Sequence, residues 1–153
     1  MMTDVSRILA HDSGKRMLMQ QQSVLNDKQF QKKIATILVV EDDSDTGEMV
    51  KDIFSSETSY LTLPVTTSFE ALHLVKHIKP TLFLLDYHLA AMTGIELYDI
   101  LHTIKGLEHI PAIILTAEVS EKSINDIKKH HLVMIQKPFE VDEFLQAIEN
   151  VLI

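Results

Sequence analysis

Residues 36–45 read TILVVEDDSD, and this stretch decides the fold. Ile37, Leu38, Val39 and Val40 form an unbroken apolar run that stops on three adjacent acids, Glu41, Asp42 and Asp43. A run that is apolar at every position, rather than at alternate ones, reads as a strand buried on both faces, as in a parallel sheet covered by helices. The acids pose the functional question. Like charges held together repel and lose hydration, so something must neutralise them.

Beyond this run, apolar segments alternate with helical patterns. Strands are expected at 37–40, 61–66, 82–85, 112–115 and 132–135, and helices at 46–55, 69–78, 95–104, 122–130 and 141–152. In the second helix Phe69, Leu72, Val75 and Ile78 recur every three residues, and Leu74 broadens the stripe. Asp45 and Ser68 stand where N-caps are needed, and Pro80 and Pro111 punctuate the approach to the third and fourth strands. Five strands alternating with five helices predict an α/β fold, a doubly wound parallel sheet with helices on both faces. The segment LTLPVT at 61–66 differs, because Leu61, Leu63 and Val65 alternate with threonines and with Pro64. Proline donates no ladder hydrogen bond, so this strand is expected at a sheet edge.

The chain has 153 residues, about one domain, and enough for one sizeable core. Its longest apolar runs fall far short of the ~20 residues that span a bilayer, and its N-terminus lacks the apolar stretch of a signal peptide, so no membrane association is expected. With no cysteine, disulfides and thiolate chemistry are excluded, and a reducing cytoplasmic location is the natural expectation. Residues 1–34 carry six Lys and Arg against three Asp, net +3, so the chain's −8 leaves −11 for residues 35–153, which contain no arginine. Such an acidic domain is a poor nucleic-acid binder, because that binding depends on basic groups displacing counterions from phosphates. The charge break also marks a boundary between an extension at 1–34 and a domain at 35–153. The extension is Gln-rich with few apolar anchors and reads as mobile; Val5, Ile8 and Leu9 leave a partner-binding or dimerising helix as the alternative, and Met17 and Met19 leave open a later start.

Open α/β sheets bind ligands at the carboxyl ends of their strands. Those ends carry Glu41, Asp42 and Asp43 on the first strand, Asp86 on the third, Thr116 then Ala117 on the fourth, and Lys137 then Pro138 on the fifth. Crowded carboxylates are tolerable beside a divalent cation, and Mg²⁺ favours a few carboxylates with water and phosphate oxygens. A hydroxyl and an ammonium suit the remaining oxygens of a phosphoryl group. The acids therefore read as a metal seat within a phosphoryl-transfer site.

The segments ILVVEDD, EALHLVKHIKPTLFLLD, MTGIEL, AIILTAE and QKPF, in this order and spacing, resemble the receiver domain of two-component response regulators over roughly residues 35–153. That resemblance implies a flavodoxin-like sheet in the order 2-1-3-4-5 and a stand-alone signalling phosphoacceptor rather than an enzyme. Asp86 would accept phosphoryl from the phosphohistidine of a histidine kinase or histidine phosphotransfer protein. Asp42 would bind Mg²⁺ directly and Glu41 through water, with Asp86 and the backbone carbonyl of His88 completing the protein ligands. Thr116 would be the switch hydroxyl and Lys137 the cation paired with the acceptor, followed by a cis peptide bond to Pro138. His88 and Glu118 occupy the positions that tune the lifetime of the phosphorylated form. A target protein would bind the face of the fourth helix, fifth strand and fifth helix, with the chain a monomer or weak dimer.

The sequence departs from that family at three places. Met134 stands where an inward-turning Tyr or Phe is usual, the loop YHLAAMTG lacks a common proline and carries Thr93 where an acid is frequent, and HHL replaces a Gly-bearing turn before the fifth strand. These departures favour, as the alternative function, a degenerate receiver that binds proteins independently of phosphorylation. A haloacid-dehalogenase-type phosphatase is disfavoured, since it needs a second acid where His88 stands. The chain ends just after the fifth helix, so no output domain is expected. Asp43 reads as a solvated cap, His130 and His131 as polar surface, and Met49, Met92 and Met134 as packing residues.

Overall fold

The computed structural model describes residues 34–153, so the expectations for residues 1–33 lie outside the described residues. Five strands and five helices alternate: β1 (Thr36–Val40), α1 (Ser44–Glu57), β2 (Leu61–Val65), α2 (Ser68–Leu74), β3 (Leu82–Asp86), α3 (Gly94–His102), β4 (Ala112–Thr116), α4 (Glu121–Lys129), β5 (Val133–Gln136) and α5 (Val141–Leu152). All strand pairs are parallel, in the order β2-β1-β3-β4-β5. Pro64 lies on the edge strand β2, where the missing N–H leaves no gap in the interior ladder. Among the described residues, no helix is long and apolar enough to cross a membrane.

Alternate residues of the central strands point to opposite faces, and each face has its own core. Leu38, Val40, Phe83, Leu85 and Ile114 pack with Ala71 of α2 and its C-terminal cap Val75, Leu97 and Leu101 of α3, and Ile127 of α4. Ile37, Val39, Leu84, Ile113 and Leu115 pack on the other face with Val50, Ile53 and Phe54 of α1 and with Phe144 and Ile148 of α5. Burying an aliphatic or Phe side chain contributes ~1.5–3 kcal/mol. These two layers hold the strand ends in place.

Helix α2 is shorter than expected. It ends at Leu74 with Val75 as its C-cap, and the chain then tightens through Lys76 N–H to His73 C=O and His77 N–H to Leu74 C=O. Ile78 N–H also closes on Leu74 C=O, and Pro80 disfavours helical backbone at the next residue, Lys79, so the chain leaves the helix here. The buried stripe is also displaced: Ala71 and Val75 are buried, whereas Phe69 is 67% exposed. The caps lie one or two residues upstream of the expected ones. Thr67, not Ser68, caps α2 by accepting from Glu70 N–H, and Asp43, not Asp45, stands at the start of α1. Met92 and Met134 pack against the core as expected, but Met49 is largely exposed.

The turn before β5 explains HHL. His130 caps α4, His131 adopts a left-handed φ of 56°, and Leu132 N–H returns to Ile127 C=O while His131 N–H reaches Lys128 C=O. This paired closure ordinarily takes glycine at its left-handed residue. His131→Gly is therefore expected to stabilise the fold by about 1 kcal/mol, measurable as a raised denaturation midpoint. A lower midpoint would mean that the imidazole makes a compensating contact.

Candidate functional site

Strand register assembles the site. Val40 pairs with Leu85, Asp86 with Leu115, and Thr116 with Gln136, so Glu41, Asp86, Thr116 and Lys137 emerge side by side at one end of the sheet. Backbone bonds continue each ladder past the strand ends: Glu41 N–H to Val65 C=O, Tyr87 N–H to Leu115 C=O and Lys137 N–H to Thr116 C=O. The Lys137–Pro138 peptide bond is cis.

Glu41, Asp42 and Asp86 each bring a carboxylate oxygen to within 4.8 Å of one another. Glu41 and Asp86 are buried, while Asp42 faces solvent. Lys137 Nζ donates to both oxygens of Glu41 at 3.0 Å and to Asp86 Oδ2 at 3.4 Å. The ammonium thus sits closer to Glu41 than to Asp86, although the resemblance pairs it with the acceptor. Burial pushes the Glu41 carboxyl up to about 7 from 4.5, with the Asp86 charge adding to the rise and Lys137 opposing it. Burial pulls the Lys137 ammonium the other way, but its hydrogen bond to Glu41 and the charge of Asp86 outweigh that and leave it above its ordinary value. One lysine therefore offsets two crowded carboxylates incompletely, and the remaining negative charge favours a cation.

Asp86 Oδ1 accepts from His88 N–H at 3.2 Å, which fixes the carboxylate plane against its own turn. The fully buried Thr116 hydroxyl donates to the Glu118 carbonyl at 2.6 Å. His88 Nε2 and Glu118 Oε2 lie 3.9 Å apart at the rim, both largely exposed. Asp43 stands apart from the acid group. Its carboxylate accepts from Thr46 Oγ1 at 2.6 Å, and that bond holds it below the usual range, as befits a helix-start residue.

The loop after Asp86 closes through a bridge between His88 and Thr93, and Thr93 then caps α3 by accepting from Glu96 N–H. The hydroxyl thus fills the N-cap role that an acid at this position would also fill. Gly94 donates its N–H to Tyr87 C=O, and a Cβ on it would collide with the Asp86 carbonyl oxygen. Gly94→Ala is expected to destabilise the fold by roughly 1–3 kcal/mol, as overpacking does, and to slow any reaction at Asp86. Denaturation and acylation rate measured on the same preparation check both effects; an unchanged acylation rate would show that Asp86 is placed independently of this loop.

Sequence reasoning passed over Tyr87. Its ring is buried and its hydroxyl donates to Asp126 Oδ2 of α4 at 3.1 Å; burial first, then Asp126, raise the phenol above its ordinary pKa. The available signal was a hydroxyl-bearing aromatic directly after the acid. His130 Nδ1 donates to the Asp126 carbonyl (2.7 Å) and its Nε2 lies 3.1 Å from Asp99 Oδ1, so the ring is a half-buried polar link between α3 and α4 rather than the surface group expected.

The chain is 28% identical over 118 residues to the polar-differentiation response regulator DivK of Brucella ovis, covering 76% of this chain and 95% of the relative. The structure superposes on a CheY-like response regulator receiver domain protein from Methanospirillum hungatei with a TM-score of 0.71 at 25% identity, covering 78% of this chain and 94% of that one. The receiver domain of HemR from Leptospira biflexa gives 0.68 at 28% identity, covering 77% and 94%. Residues 37–149 match the response regulator receiver domain, and the chain belongs to that family of two-component signalling proteins.

Proposed function

We propose that this chain accepts a phosphoryl group on Asp86 from a phosphohistidine and signals by contact with a partner protein. The observation that carries this reading is Lys137 Nζ bridging Glu41 and Asp86 beside a third carboxylate, with Thr116 at the adjoining strand end. Receiver domains interact with histidine kinases or phosphotransfer proteins, and they bind Mg²⁺ at an acidic pocket.

The donor set fits that ion, since three clustered carboxylates are hard oxygen ligands of the kind Mg²⁺ prefers. Glu41, Asp42, Asp86 and the main-chain carbonyl of His88 would hold it. When bound, the metal would neutralise charge on the transferring group. The rest falls to the chain's own residues. An Asp86 carboxylate oxygen forms the new bond to phosphorus as the bond from phosphorus to the imidazole nitrogen breaks. Lys137 moves from Glu41 toward the phosphoryl oxygens, and the Thr116 hydroxyl leaves the Glu118 carbonyl to donate to them. Water later cleaves the acyl phosphate at the rim flanked by His88 and Glu118. Output would pass through the face of α4, β5 and α5, in the cytoplasm.

Phosphoramidate, a small donor with a phosphorus–nitrogen bond, tests this reading. Intact mass is expected to rise by one phosphoryl group with Mg²⁺ present and to stay unchanged in Asp86→Ala. Met134, partly buried and without a ring, favours a second reading, a protein-binding module indifferent to phosphorylation. An unaltered mass in the native chain, under conditions that load another receiver, would support that reading instead.

A further inference from the structure

Apolar burial holds α4 lightly. Its buried residues are Ser123 and Ile127, so polar ties must fix where the helix lies. Two such ties come from other elements: Tyr87 Oη to Asp126 Oδ2 at 3.1 Å, and Asp99 of α3 to His130 Nε2, the residue capping α4, at 3.1 Å. The first begins one residue after Asp86. The Tyr87 main chain is clamped on both sides, its N–H on Leu115 C=O of β4 and its C=O on Gly94 N–H of α3. Tyr87 as a whole is 4% exposed. A shift of Asp86 therefore has no slack to absorb it before the phenol.

The opposite end of α4 is linked to the same site. Thr116 Oγ1 donates to Glu118 C=O, and Ser120, two residues on, caps the helix through a reciprocal pair of bonds with Ser123. If the Thr116 hydroxyl turns to an occupant of Asp86, the bond that fixes the segment leading into the cap is lost. The start of α4 is then free to move, and that movement strains the Tyr87 bond at its middle.

We propose that the Tyr87–Asp126 hydrogen bond is a tether that holds α4 in its arrangement for an unoccupied Asp86, and that it is given up when Asp86 is occupied. Tyr87 is on this account a positioning residue, acting through Asp126 and α4. The inference rests on Asp86 being the phosphoryl acceptor. Coupling between two sites is reciprocal, so a bond that favours the unoccupied arrangement must weaken binding at Asp86 by the same factor.

The test uses the full chain with saturating Mg²⁺ and beryllofluoride, a phosphoryl mimic. Binding is titrated, and amide hydrogen exchange is followed in a peptide spanning residues 121–130. In the native chain, occupation is expected to speed exchange in α4. Tyr87→Phe, which keeps the ring, and Asp126→Ala are each expected to speed it without the mimic and to bind the mimic about fivefold more tightly, the lower end of ordinary coupling. The double variant is expected to match either single one, because both remove the same bond. A merely structural role predicts weaker binding, the opposite sign. Affinities within twofold of the native chain, additive effects in the double variant, or α4 exchange unmoved by the mimic would each overturn the tether alone. Failure of the native chain to bind the mimic would overturn the acceptor reading and the tether with it.

Discussion

Lys137→Met is expected to slow phosphoryl acceptance at Asp86 by on the order of 10²–10³-fold, the usual cost of removing one preorganised group that stabilises transition-state charge. The side chain supplies the only ammonium in contact with both Glu41 and Asp86 among the described residues. Methionine preserves much of its length and apolar stem, so the loss isolates charge from packing. Leaving two carboxylates without their cation ordinarily costs several kcal/mol. Here Glu41 has an escape, because its carboxyl already titrates at about 7 and can take up a proton instead. The variant is therefore expected to approach native stability near pH 6 and to fall away from it near pH 8. Denaturation midpoints at the two pH values, with acylation rates from a small donor, check both parts. A variant that accepts phosphoryl at the native rate would remove Lys137 from the site's chemistry.

Mg²⁺ binding is expected to weaken about tenfold from pH 8 to pH 6, as follows when one proton with a pKa near 7 competes for a ligand. The competing proton is that of Glu41. Without metal, the folded chain binds this proton more tightly than the unfolded chain does, whose carboxyl titrates at 4.5. The stabilisation this group gives is thus fully present below about 4.5 and is lost as pH rises through about 7. Mg²⁺ should reverse that loss, because it binds the deprotonated form and stabilises the fold in proportion to its occupancy. Metal titrations followed by thermal midpoint at pH 6, 7 and 8 read the effect directly. Affinity that is constant or rises toward pH 6 would show that Glu41 is not among the groups the metal engages. Asp42→Ala provides the control: it leaves the buried Glu41–Lys137 pair in place and is expected to abolish most of the Mg²⁺ response.

How much of this was legible in the sequence depended on whether a residue's role is local. Strands β1, β3 and β4 were readable because double-sided burial leaves an apolar residue at every position, and Pro64 placed β2 at the edge through its missing N–H. The strand-end groups Glu41, Asp86 and Thr116 were readable for the same reason, since each follows directly on such a run, whereas Lys137 follows Gln136 on the half-exposed edge strand β5 and was readable from the QKPF segment. Other features depend on partners far away in the chain. The three-residue repeat within residues 69–78 could not show that Phe69 faces solvent and that Ala71 takes the core position. Nothing in EDD tells which acid is buried, yet burial makes Glu41 the proton-binding member and leaves Asp42 open to solvent. Gly94 and Tyr87 look ordinary until the Asp86 carbonyl and Asp126 are brought against them. His131, an anomaly as a letter, becomes intelligible once its left-handed backbone is seen.

The claim on which the rest depends is that the Asp86 carboxylate itself forms the new covalent bond. Borohydride reduction of the protein after treatment with acetyl phosphate and Mg²⁺, followed by peptide mass mapping, tests it most directly. An aspartyl phosphate is reduced to homoserine, so conversion confined to residue 86, and absent when Mg²⁺ is withheld, is the predicted result. A phosphoryl group that survives borohydride on a histidine, or homoserine at residue 42 or 5-hydroxynorvaline at residue 41 in place of homoserine at residue 86, would contradict it.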